Sequence, residues 1–125
     1  MSIKQMSDVK KNKALELEGR TRTFSLRTRD FIQGIEKNLT NNHYAKQLTK
    51  SASSIGANYI EANEKFSLKD CVFRMKIARK EAKESIYWFE HIQSKQKEER
   101  EFLMNECIEL KKILSAIILK LERKL

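Results

Sequence analysis

A chain of 125 residues that contains no proline, and glycine only at Gly19, Gly34 and Gly56, carries almost no backbone punctuation. A β-sandwich or barrel needs turn residues about every eight to twelve positions, so those architectures are excluded. Helical periodicity is what remains, and it runs through nearly the whole chain. Leu17, Thr21, Phe24, Thr28, Phe31, Ile35 and Leu39 follow steps of three and four, the spacing of one buried helix face. Ala45, Leu48, Ala52, Ile55, Tyr59, Ala62 and Phe66 repeat the pattern, as do Cys71, Met75, Ala78, Ala82, Ser85, Phe89 and Ile92. A fourth seam holds Leu103, Cys107, Leu110, Leu114, Ile117, Leu121 and Leu125, widened by Ile113 and Ile118.

Between the seams lie short polar breaks. Asn38-Leu39-Thr40-Asn41-Asn42 offers side chains that cap a helix from about His43 to Lys65. Ser67 is a good N-cap for the third helix, with Asp70 near the positive end of its dipole. Ser94-Lys95-Gln96-Lys97 separates the third helix from the fourth. Gly34 falls inside the first seam, where it costs about 1 kcal/mol against alanine and marks a close approach. Four helices of such lengths with short loops predict an all-α, antiparallel up-down-up-down four-helix bundle over residues 14–125. Residues 1–13, lysine-rich with scattered apolar side chains, are expected to form a flexible basic arm.

Charge follows the same map. The net charge is +9, and residues 1–50 hold eleven Lys/Arg against five Asp/Glu. The candidates for contact with a polyanion are Arg20, Arg22, Arg27, Arg29, Lys46 and Lys50, with Lys10, Lys11 and Lys13 in the arm. Arg20 and Arg27 share one helical row, Arg22 and Arg29 the next, and Lys46 and Lys50 are one turn apart. Such cations bind phosphate backbones without reading bases. An ordinary solubilising surface has the same composition.

The third helix has a second apolar row. That row runs Phe73, Ile77, Glu81, Glu84 and Trp88 and leaves more to bury than one bundle core takes, so Phe73, Ile77, Tyr87 and Trp88 are expected at a homo-oligomer interface. Beside the seam of the second helix run Ser51, Ser54, Asn58 and Glu61. Ser54, Asn58 and Glu61, with Glu81 and Glu84 from the third helix, are expected to form a structural polar network.

Catalytic constellations find little support. Di-metal bundles use Glu-x-x-His on two helices, whereas Thr40 precedes His43 and Trp88 precedes His91 by three. No metal or other cofactor and no catalytic residues are expected. Cys71 and Cys107 sit on seams, where a free cysteine packs as a small hydrophobe. Cys71 also lies in the first turn after Ser67, where the helix dipole would lower its pKa. With no CxxC pair, no secretory core at the N-terminus and no apolar run of bilayer length, the expected setting is the cytoplasm, away from membranes.

Ser54-Ile55-Gly56-Ala57-Asn58 with Glu61-Ala62, then Ser67 and Asp70, Lys76-Ile77-Ala78, Glu81-Ala82, Glu84 and Tyr87-Trp88, resembles the bacterial proteins encoded inside intervening sequences of 23S rRNA genes. Phe24-Ser25-Leu26-Arg27 resembles that family's first helix, so the similarity spans residues 17–121. Cys71 departs from the pattern, where the family usually has an aromatic. The resemblance implies a four-helix bundle without demonstrated enzymatic activity and an assembly into pentamers. It also implies a likeness in fold to the accessory variability determinant of diversity-generating retroelements, a basic homopentamer that binds nucleic acid and a reverse transcriptase. Five copies would pool about +45 of charge. The function expected is therefore a non-enzymatic, homo-oligomeric binder of RNA or DNA backbone. The alternative is a scaffold for a protein partner, such as a reverse transcriptase or ribosome-associated factor, without direct nucleic-acid binding.

Overall fold

The Ser7 hydroxyl accepts from the Lys10 amide and caps a helix that begins earlier than the sequence pattern implies. The computed structural model describes residues 7–125. Helix α1 spans Asp8–Gln33, so Lys10, Lys11 and Lys13 lie on a helix and not in an arm; residues 1–6 of the expected arm are outside the described residues. Helices α2 (Leu39–Asn63), α3 (Leu68–His91) and α4 (Lys97–Glu122) follow.

Side-chain caps mark the starts of α1, α2 and α3, whereas α4 follows Gln96 without one. Asn38 Oδ1 accepts from the Asn41 amide at 2.9 Å, and Ser67 Oγ from the Asp70 amide at 3.4 Å, each satisfying an otherwise orphaned N–H. Helix α1 ends at Gly34, five residues short of Leu39. Ile35 nevertheless stays buried from the loop, whereas Leu39 is 88% exposed. The first seam therefore overruns its helix by one step. Phe66 and Leu125, expected on seams, are likewise exposed, and Ile118 replaces Ile117 in the core.

The bundle is a square with α1 beside α2 and α4, and α3 on the diagonal from α1. Cross-helix pairs fix the antiparallel register. Arg20 meets Glu106 and Arg27 meets Glu99, seven residues up α1 against seven down α4. Ser85 donates to Ser51 at 2.8 Å, and Arg74 to Asn58 Oδ1 at 3.2 Å, stepping in opposite directions along α3 and α2. Phe24, Phe31 and Phe89 form an edge-on aromatic centre with ring centroids 5.7–6.3 Å apart. Leu48, Ile55, Leu103, Leu110 and Leu114 fill the layers around it.

At one end of the bundle, buried Asn41 serves as a clasp. Its Nδ2 donates to the carbonyls of Glu36 and Gln93, and its Oδ1 accepts from the Gln93 amide at 3.0 Å. Gln96 reaches across to donate to the Phe31 carbonyl at 3.0 Å, passing over Gly34 where a β-carbon would meet its Nε2 at 2.8 Å. The close approach expected at Gly34 is thus with the α3–α4 loop.

Candidate functional site

The six candidate cations divide into two kinds. Arg20 is held in a two-pronged pair by Glu106, Nε to Oε2 at 2.8 Å and Nη2 to Oε1 at 2.7 Å. Arg27 is held the same way by Glu99 at 2.9 and 2.8 Å, and its guanidinium lies 3.8 Å from the centre of the Phe102 ring. Both arginines have pKa values raised by these carboxylates, the hydrogen bond being the largest cause. Their charge is spent on the α1–α4 seam, the thinnest packed of the four. Bidentate geometry gives that seam orientation more than stability.

The other kind points outward. Arg29 is paired only with its neighbour Asp30 at 3.0 Å. Arg22, Lys46 and Lys50 are exposed and form no ion pair among the described residues. Arg22 and Arg29, seven apart, lie one turn from Ser25 and Ile32 on the side of α1 toward α2. Thr21, also on that side, nearly touches Gly56 of α2. Lys46 and Lys50 flank the same α1/α2 groove, whose lining includes Ile32, Ile35, Lys37 and Thr49. Arg22, Arg29, Lys46 and Lys50 thus lie on the α1/α2 side of the bundle.

The polar residues of the second and third helices do not join into one network. Asn58 links α2 to α3 through Arg74, and its own amide donates to the Ser54 carbonyl one turn back. Glu61 pairs with Lys65 at 2.7 Å on the same helix, which lowers its pKa. Glu84 stands 3.9 Å from Lys80. Glu81 has no ion-pair partner among the described residues, and burial, then the charge of Glu84, raises its pKa. Buried polar contacts leave α2 from Ser51, to Ser85 of α3, and from Asn41, to the α3–α4 loop at Gln93; spacing alone reads the two as a small residue beside the seam and a capping residue.

Phe73 is 60% and Tyr87 52% exposed on the outer face of α3, with Ile77 and Trp88 half-buried beside them. Trp88 stacks on Tyr44 of α2 at 6.1 Å, and His43, His91 and Tyr87 close around the pair. His91 Nδ1 lies 2.7 Å from the Tyr87 carbonyl. Sequence reasoning found Tyr87 and Trp88 but missed His43, Tyr44 and His91, which come from two helices and converge only in the fold.

Neither cysteine is activated. Burial raises the Cys71 thiol, against the lowering expected from the helix dipole, because the side chain packs inward from the first turn. Cys107, fully buried with its Sγ donating to the Ala82 carbonyl, is pushed up to about 12. Among the described residues no group of three or more His, Cys, Asp or Glu could hold a metal ion, and no helix is long and apolar enough to cross a membrane.

The geometry defines a small antiparallel four-helix bundle with exposed aromatic side chains on the outer face of α3. The chain belongs to the 23S rRNA-intervening sequence protein family, which matches residues 13–116. It is similar to a crystal structure of a protein of unknown function from the S23 ribosomal protein family of Bacteroides thetaiotaomicron. The identity is 30%, with 82% of this chain and 97% of that one covered and a TM-score of 0.68. No curated protein matches the chain.

Proposed function

We propose that this protein is a non-enzymatic, self-associating bundle that binds RNA or DNA through the phosphate backbone. The observation that carries this reading is the outward set of Arg22, Lys46 and Lys50, all exposed and in no ion pair among the described residues, with Lys50 close enough to Glu81 only to favour its charged form. Arg20 and Arg27 belong to the α1–α4 seam instead and contribute little free charge. Self-association would repeat the outward cations by symmetry, and exposed Phe73 and Tyr87 on α3 supply the apolar area for it. A pentamer is the assembly that the family resemblance suggests.

Binding of a labelled structured RNA, measured between about 50 and 200 mM salt, tests the proposal. The expected result is tight binding at low salt that weakens steeply as salt rises. The triple variant Arg22→Glu, Lys46→Glu, Lys50→Glu should abolish it, while Arg27→Ala should change it little. Absence of binding at low salt would overturn the nucleic-acid reading. The exposed aromatics favour a second reading, a scaffold for a protein partner such as a reverse transcriptase. Loss of function in Phe73→Glu with function intact in the triple variant would select it.

A further inference from the structure

A cavity of about 530 Å³ opens at the end of the bundle where α1 and α3 begin and α2 and α4 finish. Here the mouth lies between α1 and α4, beyond the Arg20–Glu106 pair. Its floor is made of Ala14, Leu17, Tyr59, Met75, Ile113 and Ile117. Its volume falls in the range of small-molecule sites, and its walls are mostly apolar.

The rim is mostly cationic. Lys10 and Lys13 from α1 and Lys120 and Lys124 at the end of α4 stand around the mouth. All four are exposed and form no ion pair among the described residues. Arg20 also reaches the rim, but Glu106 neutralises it, and Glu16 is the one carboxylate in the lining among the described residues. Four free ammonium groups above an aliphatic hole make a site with an apolar bottom and an anionic preference at its entrance. A phosphate backbone fits the rim but leaves the hole unfilled; a neutral hydrocarbon fills the hole but ignores the rim.

We propose that this cavity binds a dissolved single-chain aliphatic carboxylate, a fatty-acid anion, with its tail between α1 and α4 and its head among Lys10, Lys13, Lys120 and Lys124. The tail replaces the contacts that α1 and α4 do not make with each other. The site is separate from the α1/α2 face and does not depend on the nucleic-acid reading. Cys71 lies in the lining and reports on occupancy, whereas Cys107 lies deeper in the core.

Titration calorimetry of the full chain with decanoate, below its micellar concentration, tests the site. Saturable binding of one decanoate per chain is expected, weakening about fourfold per methylene removed on going to octanoate. Decyltrimethylammonium should bind at least tenfold more weakly. Lys13→Glu with Lys124→Glu should cut decanoate affinity at least tenfold without unfolding the bundle. Ile117→Trp should fill the floor and abolish binding; should that variant fail to fold, the rim variant still decides. Decanoate should also slow alkylation of Cys71. The proposal is overturned if decanoate does not bind, whether residues 1–6, a second copy or nothing fills the cavity instead. It is equally overturned if decyltrimethylammonium binds as well as decanoate, or if the protein ignores dissolved decanoate yet sediments with lipid vesicles.

Discussion

Gly56 of α2 lies so close to Thr21 of α1 that a β-carbon at position 56 would meet Thr21 Oγ1 at 2.7 Å and Thr21 Cβ at 3.1 Å. Thr21 cannot turn away freely, since its hydroxyl donates to the Glu18 carbonyl at 2.7 Å and its side chain is buried. Alanine at 56 gains about 1 kcal/mol of helix propensity but forces α1 and α2 apart, an overpacking cost of about 1–3 kcal/mol. Gly56→Ala should therefore destabilise by about 1 kcal/mol in denaturant unfolding. Gly19→Ala, with open space around the new methyl, should stabilise by up to about 1 kcal/mol. Combining Gly56→Ala with Thr21→Ala should recover part of the loss, and simple additivity would show that the contact does not matter.

The α1–α4 seam offers a second measurement. A double-mutant cycle on Arg20→Ala and Glu106→Ala should give a coupling of about 0.5 kcal/mol, because the pair is partly exposed and screened by salt. The coupling should shrink between low and high ionic strength. A value insensitive to salt would mean that packing, not charge, joins the two helices there.

Much of this architecture is legible in residue spacing. The seam through Cys71, Met75, Ala78, Ala82, Ser85, Phe89 and Ile92 is buried along its full length, because one face of a helix in a bundle must be apolar or small throughout. The cap at Ser67 is legible for the same local reason, whereas α2 starts at Leu39, capped by Asn38, earlier than the His43 that its apolar spacing implies. Distance in sequence hides the rest. Arg20 and Arg27 read as free cations until Glu106 and Glu99, 86 and 72 residues away, are brought beside them. Ile35 keeps the period although the helix has already ended, because a loop residue can fill a core layer as well as a helical one. The cavity at one end of the bundle has no sequence signature, since its walls come from all four helices and meet only in the fold.

Asn41 should be the most sensitive polar residue in the bundle. Its side chain is fully buried and serves two carbonyls and one amide in the α1–α2 and α3–α4 connections. Asn41→Ala strands those groups, each worth about 1–3 kcal/mol when unmet, so a loss of about 3 kcal/mol is expected by chemical denaturation. Asn41→Asp keeps the acceptor and loses both donors, and should also destabilise. A loss below 1 kcal/mol in the alanine variant would mean that water replaces the clasp.

Thr28 shows the opposite case. It is buried at 1% exposure, and its Oγ1 finds no hydrogen-bond partner among the described residues. Valine has nearly the same shape without the hydroxyl, so Thr28→Val should raise stability by about 1 kcal/mol. An unchanged or lower melting temperature would show that the hydroxyl is satisfied in solution.

The pH dependence of stability turns on Glu81. Burial and the neighbouring charge of Glu84 raise its pKa, only partly opposed by Lys80 and Lys50. A carboxyl raised in the folded state binds more protons there than in the unfolded chain at pH values between the two pKa values. Stability from this group therefore falls as pH rises from the ordinary carboxylate range through the raised folded value. Glu61 works in the other direction, since Lys65 lowers its pKa and its contribution is lost as pH falls through that lowered value. Replacing Glu81 with glutamine removes the ionisable group and keeps the shape. Glu81→Gln should be more stable than the parent at pH 7, and the gain should vanish as the pH drops below 4. Unfolding free energies measured across pH 3.5–7.5 decide the matter: a difference that stays constant with pH would mean that Glu81 titrates in the fold as it does in the unfolded chain.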